Sequence, residues 1–103
     1  MERIEKLRAF LAQNGTDSFV QHALALEYVK LKNDKAAREQ WEALLAREEN
    51  YVGSYYHLAK LLERQGEQQL AISTYQKGME VAKAAGDNHA YNELQAAYED
   101  LIY

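Results

Sequence analysis

The stretch that decides the fold is residues 55–78, which read YYHLAKLLERQGEQQLAISTYQKG. Before Gly66, apolar residues recur every three or four positions, as they do on one side of an α-helix; they are Tyr55, Leu58, Ala59 and Leu62. After Gly66 the spacing resumes with Leu70, Ala71, Tyr75, Met79 and Ala82. Because glycine commonly ends a helix, the stretch predicts two antiparallel helices joined by a tight turn.

The same pattern occurs 34 residues earlier in the chain. The shift pairs Leu24 with Leu58, Ala25 with Ala59, Tyr28 with Leu62, Ala37 with Ala71, Trp41 with Tyr75 and Leu44 with Gly78. A fixed period of this length is typical of repeat proteins, in which each helical hairpin buries its apolar side against its neighbours. We therefore interpret the chain as a repeated hairpin.

Composition narrows the class of protein further. The 103 residues suit one domain, and the lack of cysteine excludes disulfides and thiolate sites and fits a cytoplasmic location. A net charge of −4 argues against a nucleic-acid partner, and no apolar run is long enough to cross a bilayer. There is no proline, and strong helix formers dominate, so we predict an all-α protein.

In period and pattern the chain resembles the tetratricopeptide repeat family. The second unit matches the family motif at Tyr55, Leu58, Ala59, Leu62, Gly66, Ala71, Tyr75 and Gly78. The first unit departs from it, since Gln21 stands at the first large position and Leu44 at the last small one. The resemblance implies a right-handed superhelical stack of antiparallel hairpins that binds other proteins.

We predict a single domain over 1–103 with six helices, the last acting as a capping helix. Residues 1–16 form a half-repeat, 17–50 the first repeat, 51–86 the second repeat and 87–103 the cap. The predicted helices are 2–13, 17–31, 34–48, 51–65, 68–85 and 88–102. The first helix should bury a stripe of Ile4, Leu7, Phe10 and Leu11.

A partner is expected on the first helix of each hairpin, because the family lines its concave side with these helices. In the second repeat Tyr56, His57, Lys60 and Arg64 lie away from the apolar stripe and suit an acidic protein or peptide. The alternative is an ordinary solvated surface. The family's clamp for a C-terminal carboxylate uses Lys and Asn where His22, Leu26 and His57 stand, so this clamp is not predicted.

The helix predicted at 17–31 is apolar nearly all round, which is unusual for an exposed helix. Phe19, His22 and Leu26 should face the concave side, where Phe19 and Leu26 need a cover. That cover is a bound peptide, the terminal helix or a second copy of the chain; the alternative is that the tight curve of a short stack itself closes over them. The alternative function is therefore a homo-oligomeric scaffold that self-associates through this helix.

Signals for chemistry are weak. His22, His57 and His89 recur near the repeat period but lack the spacing of a helical metal site. The neighbouring acids Glu48-Glu49 and Glu99-Asp100 point to different sides of a helix. We therefore expect no catalytic residue, no cofactor and no metal, and predict a non-enzymatic interaction module with Tyr28, Trp41, Tyr55 and Tyr75 in its core.

Overall fold

The computed structural model describes residues 2–103, which form six α-helices and no strand. The helices are α1 (Glu2–Gln13), α2 (Ser18–Lys30), α3 (Asp34–Arg47), α4 (Gly53–Arg64), α5 (Gln68–Ala85) and α6 (Asn88–Ile102). The predicted all-α fold is confirmed, and every predicted helix end lies within two residues of the observed one.

The helix ends follow from local side chains and glycines. Three helices begin with a side chain that accepts a hydrogen bond from the backbone N–H three residues on, which satisfies an otherwise unpaired donor; the bonds join Asp17 to Val20 (3.0 Å), Asn33 to Ala36 (3.2 Å) and Asp87 to Ala90 (3.0 Å). The turns after α4 and α5 place Gly66 and Gly86 at φ of 77° and 72°. Lys32, one repeat period before Gly66, takes the same left-handed region with φ of 60°.

The chain divides into two compact units: the N-terminal unit ends at Glu48, and the C-terminal unit spans Glu49–Tyr103. In the N-terminal unit α2 packs against both α1 and α3. Its core is completed by Trp41, which is 1% exposed. The indole Nε1–H of Trp41 donates a 2.9 Å hydrogen bond to Nδ1 of His22, so the large ring is both packed and polar-satisfied.

In the C-terminal unit α5 packs against α4 and α6. The buried apolar side chains are Tyr55, Leu58, Ala59, Leu61, Leu62, Ala71, Tyr75, Ala82, Leu94 and Ala97. Gly78 of α5 lies directly against Tyr55 of α4, so close that an added Cβ would be 2.7 Å from the tyrosine Cβ. The missing side chain at Gly78 therefore lets these two helices approach each other.

Three expectations about the core need correction. The stripe predicted for α1 buries only Ile4 fully, and Phe10 is 45% exposed. The reason is that α1 packs against α2 alone among the main helix contacts of the described residues, so only part of the stripe is covered. Tyr28 is only half-buried, and Leu70, which was predicted in the apolar stripe of α5, is 43% exposed. Trp41, Tyr55 and Tyr75 are buried as predicted.

Candidate protein-binding surfaces

The exposed side of α4 carries the four residues predicted for the second repeat. This α4 surface is defined by Tyr56, His57, Lys60 and Arg64, and it lies away from the buried Leu58 and Leu62. The Tyr56 and His57 rings meet edge to face, with centroids 5.6 Å apart at 89°. Lys60 Nζ stands 5.9 Å from the centroid of the Tyr56 ring, within range of a cation–π contact. The structure therefore brings three of the four side chains together.

Glu63 lies at the edge of this surface, and its carboxylate partly offsets the positive charge of the surface. Its carboxylate accepts a short hydrogen bond from the Tyr75 hydroxyl and lies 3.8 Å from Lys60 Nζ. Burial, followed by the bond to Glu63, raises the pKa of Tyr75 far above its usual range. Glu63 is thus held by a buried donor, and the ammonium of Lys60 is only loosely paired with it.

The imidazole of His57 is a neutral member of the surface at neutral pH. Burial lowers its pKa from the ordinary value of 6.5, and the nearby charge of Glu93 opposes this shift to a lesser extent. The fixed positive charges of the α4 surface are therefore those of Lys60 and Arg64.

A pH dependence of stability follows from His57. Because its pKa is lower folded than unfolded, the unfolded chain takes up more protons as pH falls below 6.5. The contribution of neutral His57 to stability is complete above pH 6.5. It is lost as the pH falls below 6.5 through the lowered pKa of the folded state. We expect the melting temperature of His57→Gln to fall less than that of the wild type between pH 7.5 and pH 5; equal slopes would contradict this. His89→Gln, at an exposed histidine, is the control.

The three residues predicted on the first repeat differ in their surroundings. Phe19 is 74% exposed and Leu26 is half-buried, and both lie on one side of α2. The His22 ring instead accepts the hydrogen bond from Trp41, with the two ring centroids 5.8 Å apart. Phe19 is therefore the main apolar feature of this side, and His22 is tied to the core.

Sequence reasoning missed a groove in the N-terminal unit. It has a volume of about 460 Å³ and is lined by residues from α1, α2 and α3, among them Arg8, Gln21, Leu24, Tyr28, Glu39 and Gln40. The one signal in the sequence was Gln21, which stands where the repeat motif expects a large apolar residue. This α1–α3 groove shares no residue with the α4 surface.

Comparison with known proteins decides the family. No protein-family model and no curated protein matches the chain. Among solved structures, a tetratricopeptide repeat domain protein from Salinibacter ruber, determined in solution, is 41% identical, with a TM-score of 0.81 over 84% of this chain and 87% of that one. This chain belongs to the tetratricopeptide repeat family.

Other solved structures agree with this tetratricopeptide repeat assignment. A crystal structure of a tetratricopeptide repeat domain protein from Salinibacter ruber gives 41% identity and a TM-score of 0.80, over 82% of this chain and 96% of that one. A protein from Bordetella parapertussis is 28% identical, with a TM-score of 0.82 over 95% of this chain and 85% of that one. The protein MamA gives 26% and 0.75, and the match covers 93% of this chain but 51% of MamA.

The fold of this tetratricopeptide repeat protein is that of a protein–protein interaction module, and such folds are typically non-catalytic. Within residues 2–103, no three His, Asp or Glu side chains are grouped so that they could hold a metal ion. No helix in the same range is long and apolar enough to span a bilayer.

Proposed function

We propose that this tetratricopeptide repeat protein binds an acidic segment of another protein through the α4 surface. In the family, α4 corresponds to a helix that lines the concave side. The observation that carries the proposal is the cluster of Tyr56, His57 and Lys60, whose aromatic and cationic groups are already in contact before a partner arrives.

The charge of the surface supports an acidic partner. The whole chain carries a net charge of −4, whereas the outward side of α4 presents Lys60 and Arg64 one helical turn apart. A guanidinium can hold a carboxylate through two parallel hydrogen bonds, and an ammonium adds a point charge. An acidic segment along α4 would therefore meet Arg64 and Lys60 in succession.

The aromatic pair supports the same proposal. Tyr56 and His57 are both half-buried, so little conformational freedom remains for their rings to lose when a partner binds. Aromatic side chains with a polar tip are common anchors in protein interfaces. Tyr56 would pack against the apolar part of the bound segment, beside the charges that fix its direction.

Reversing the two charges tests the proposal. We expect the double variant Lys60→Glu/Arg64→Glu to bind the partner with at least tenfold lower affinity, a loss of about 1.4 kcal/mol in binding free energy. Partners are recovered from native extract on immobilised wild type, identified by mass spectrometry and titrated by calorimetry. The control Lys6→Glu/Lys35→Glu makes the same change in net charge on exposed residues of α1 and α3. Equal binding by both double variants would disprove the α4 surface.

A second candidate function is self-association through α2, favoured by the 74% exposure of Phe19. Burying this ring against a second copy would remove a large apolar side chain from water. We expect the wild type to form dimers or larger species in light scattering at rising concentration, and Phe19→Ser to shift the mass toward the monomer. A wild-type mass that stays monomeric rules out this candidate.

In either form the proposed role is non-catalytic. It requires no cofactor, and its proposed setting is the cytoplasm, which suits a chain without cysteine. A cell fractionation that places the protein elsewhere would contradict the proposed setting.

A further inference from the structure

The α1–α3 groove is a surface that the α4 proposal does not use. Gln21, Leu24 and Tyr28 of α2 form part of its lining, with α1 on one side and α3 on the other. On an α-helix of 3.6 residues per turn, this side of α2 is opposite the side that carries Phe19 and Leu26. Its volume of about 460 Å³ falls within the range of small-ligand sites.

Gln21 contributes a buried acceptor without a donor. Gln21 is only 7% exposed, and its side-chain Nε2–H donates a 3.1 Å hydrogen bond to Oε1 of Gln40. Its own Oε1 is buried and accepts no hydrogen bond from any residue in 2–103. Because buried polar atoms are nearly always paired, this oxygen calls for a donor from outside the chain.

The two walls of the groove carry opposite charges. Arg8 of α1 and Glu39 of α3 both line it, and neither forms an ion pair with another residue of the described chain. Between them, Leu24 and Tyr28 supply apolar surface. A ligand that fits all of these groups has an anionic end, a cationic end, an N–H group and a small apolar body.

We propose that the α1–α3 groove binds a short peptide of two or three residues with both ends charged. Its carboxylate pairs with Arg8 and its ammonium pairs with Glu39. When the Gln21 side chain turns and uncovers its buried Oε1, a main-chain N–H of the peptide donates to that oxygen. Its side chain lies on Leu24 and Tyr28. This site shares no residue with the α4 surface.

The spacing of the helices sets the length of the ligand. Both α1 and α3 pack against α2, which lies between them. Because packed helix axes lie about 8–10 Å apart, we infer that the distance between the axes of α1 and α3 is larger than this spacing. An extended chain spans about 3.3–3.6 Å per residue. We therefore expect a single amino acid to be too short to pair with both walls, and two or three residues to reach across with the help of the long side chains of Arg8 and Glu39.

The test is a titration followed by two-dimensional NMR. The probe is the tripeptide Ala-Leu-Ala, compared with its N-acetyl form, its C-terminal amide, the doubly capped form and free leucine. We expect saturable shifts of the side-chain amide signals of Gln21 and Gln40 with the uncapped tripeptide. Each single cap should weaken binding about tenfold, and free leucine should give no saturable shift.

Variants on the two walls assign the charges. We expect Arg8→Gln to remove the effect of amidating the C-terminus, and Glu39→Gln to remove the effect of acetylating the N-terminus. Lys6→Gln and Glu42→Gln, exposed on the same helices, should bind like wild type. Unchanged melting temperatures show that Arg8→Gln and Glu39→Gln are folded.

Three results would overturn the proposal. If no peptide gives saturable shifts at Gln21 and Gln40, the groove holds only water, which can also satisfy a buried acceptor. If the doubly capped peptide binds as well as the uncapped one, the charged walls do not recognise its ends. If the shifts appear on α4 and not in the groove, the peptide is a ligand of the α4 surface.

Discussion

Replacing Trp41 with alanine is expected to lower the free energy of unfolding by about 3–5 kcal/mol, the usual cost of a large aromatic truncation in a core. The side chain is 1% exposed and lies in the N-terminal unit, where no other described residue of similar size is fully buried. The change also leaves Nδ1 of His22 without its indole donor. Since small proteins have only about 5–15 kcal/mol of stability, urea denaturation should show a clearly lower midpoint.

The variant Trp41→Phe separates packing from hydrogen bonding. It keeps most of the buried aromatic surface and removes the bond to His22, so we expect a smaller loss, on the order of 1–2 kcal/mol. Equal losses for phenylalanine and alanine would show that the hydrogen bond dominates. An alanine variant as stable as wild type would contradict the core position of Trp41.

Replacing Gly78 with valine is expected to cost about 3 kcal/mol. An added Cβ would stand 2.7 Å from the Cβ of Tyr55 and 3.1 Å from Cδ1 of Leu94. The tyrosine Cβ is fixed to the backbone of α4, so relief requires the helices to move apart, and overpacking of this kind costs about 1–3 kcal/mol. The two further methyl groups of valine increase the conflict. Thermal and urea unfolding measure the loss.

Gly53 provides the matched control for this prediction. It begins α4 with an ordinary backbone, and an added Cβ would meet nothing within 4 Å. We expect Gly53→Ala to be neutral or to stabilise by up to about 1 kcal/mol, because alanine loses less freedom on folding. If Gly78→Val were as harmless as Gly53→Ala, the close approach of α4 and α5 would be wrong.

Periodicity was enough to predict the elements of the fold. The intervals of three and four residues around Leu58 and Tyr75, and their recurrence 34 residues earlier, gave the helices and their pairing. The turn residues located the boundaries, because Gly66 and Gly86 adopt the left-handed backbone that suits glycine. Each of these signals is local, so the sequence carries it directly.

The details of the surfaces depend on contacts that no local pattern encodes. The exposed positions of α4 were predictable, but not the bond that holds Glu63 on Tyr75, since the two residues belong to different helices. His22 was predicted to face a partner, and its tie to Trp41 comes from packing between α2 and α3. The exposure of Phe10 likewise depends on which helices cover α1.

The contact of Tyr55 with Gly78 limits the order in which substitutions at these two positions of the second repeat can be tolerated. At the equivalent places the first repeat carries Gln21 in place of Tyr55 and Leu44 in place of Gly78. In the first repeat the large Leu44 is therefore combined with glutamine and not with tyrosine. A chain that enlarged Gly78 first would pass through a strained intermediate, whereas one that shortened Tyr55 first would pass through a loosely packed one. The two substitutions are therefore not independent, and the effect of the second depends on the first having already occurred.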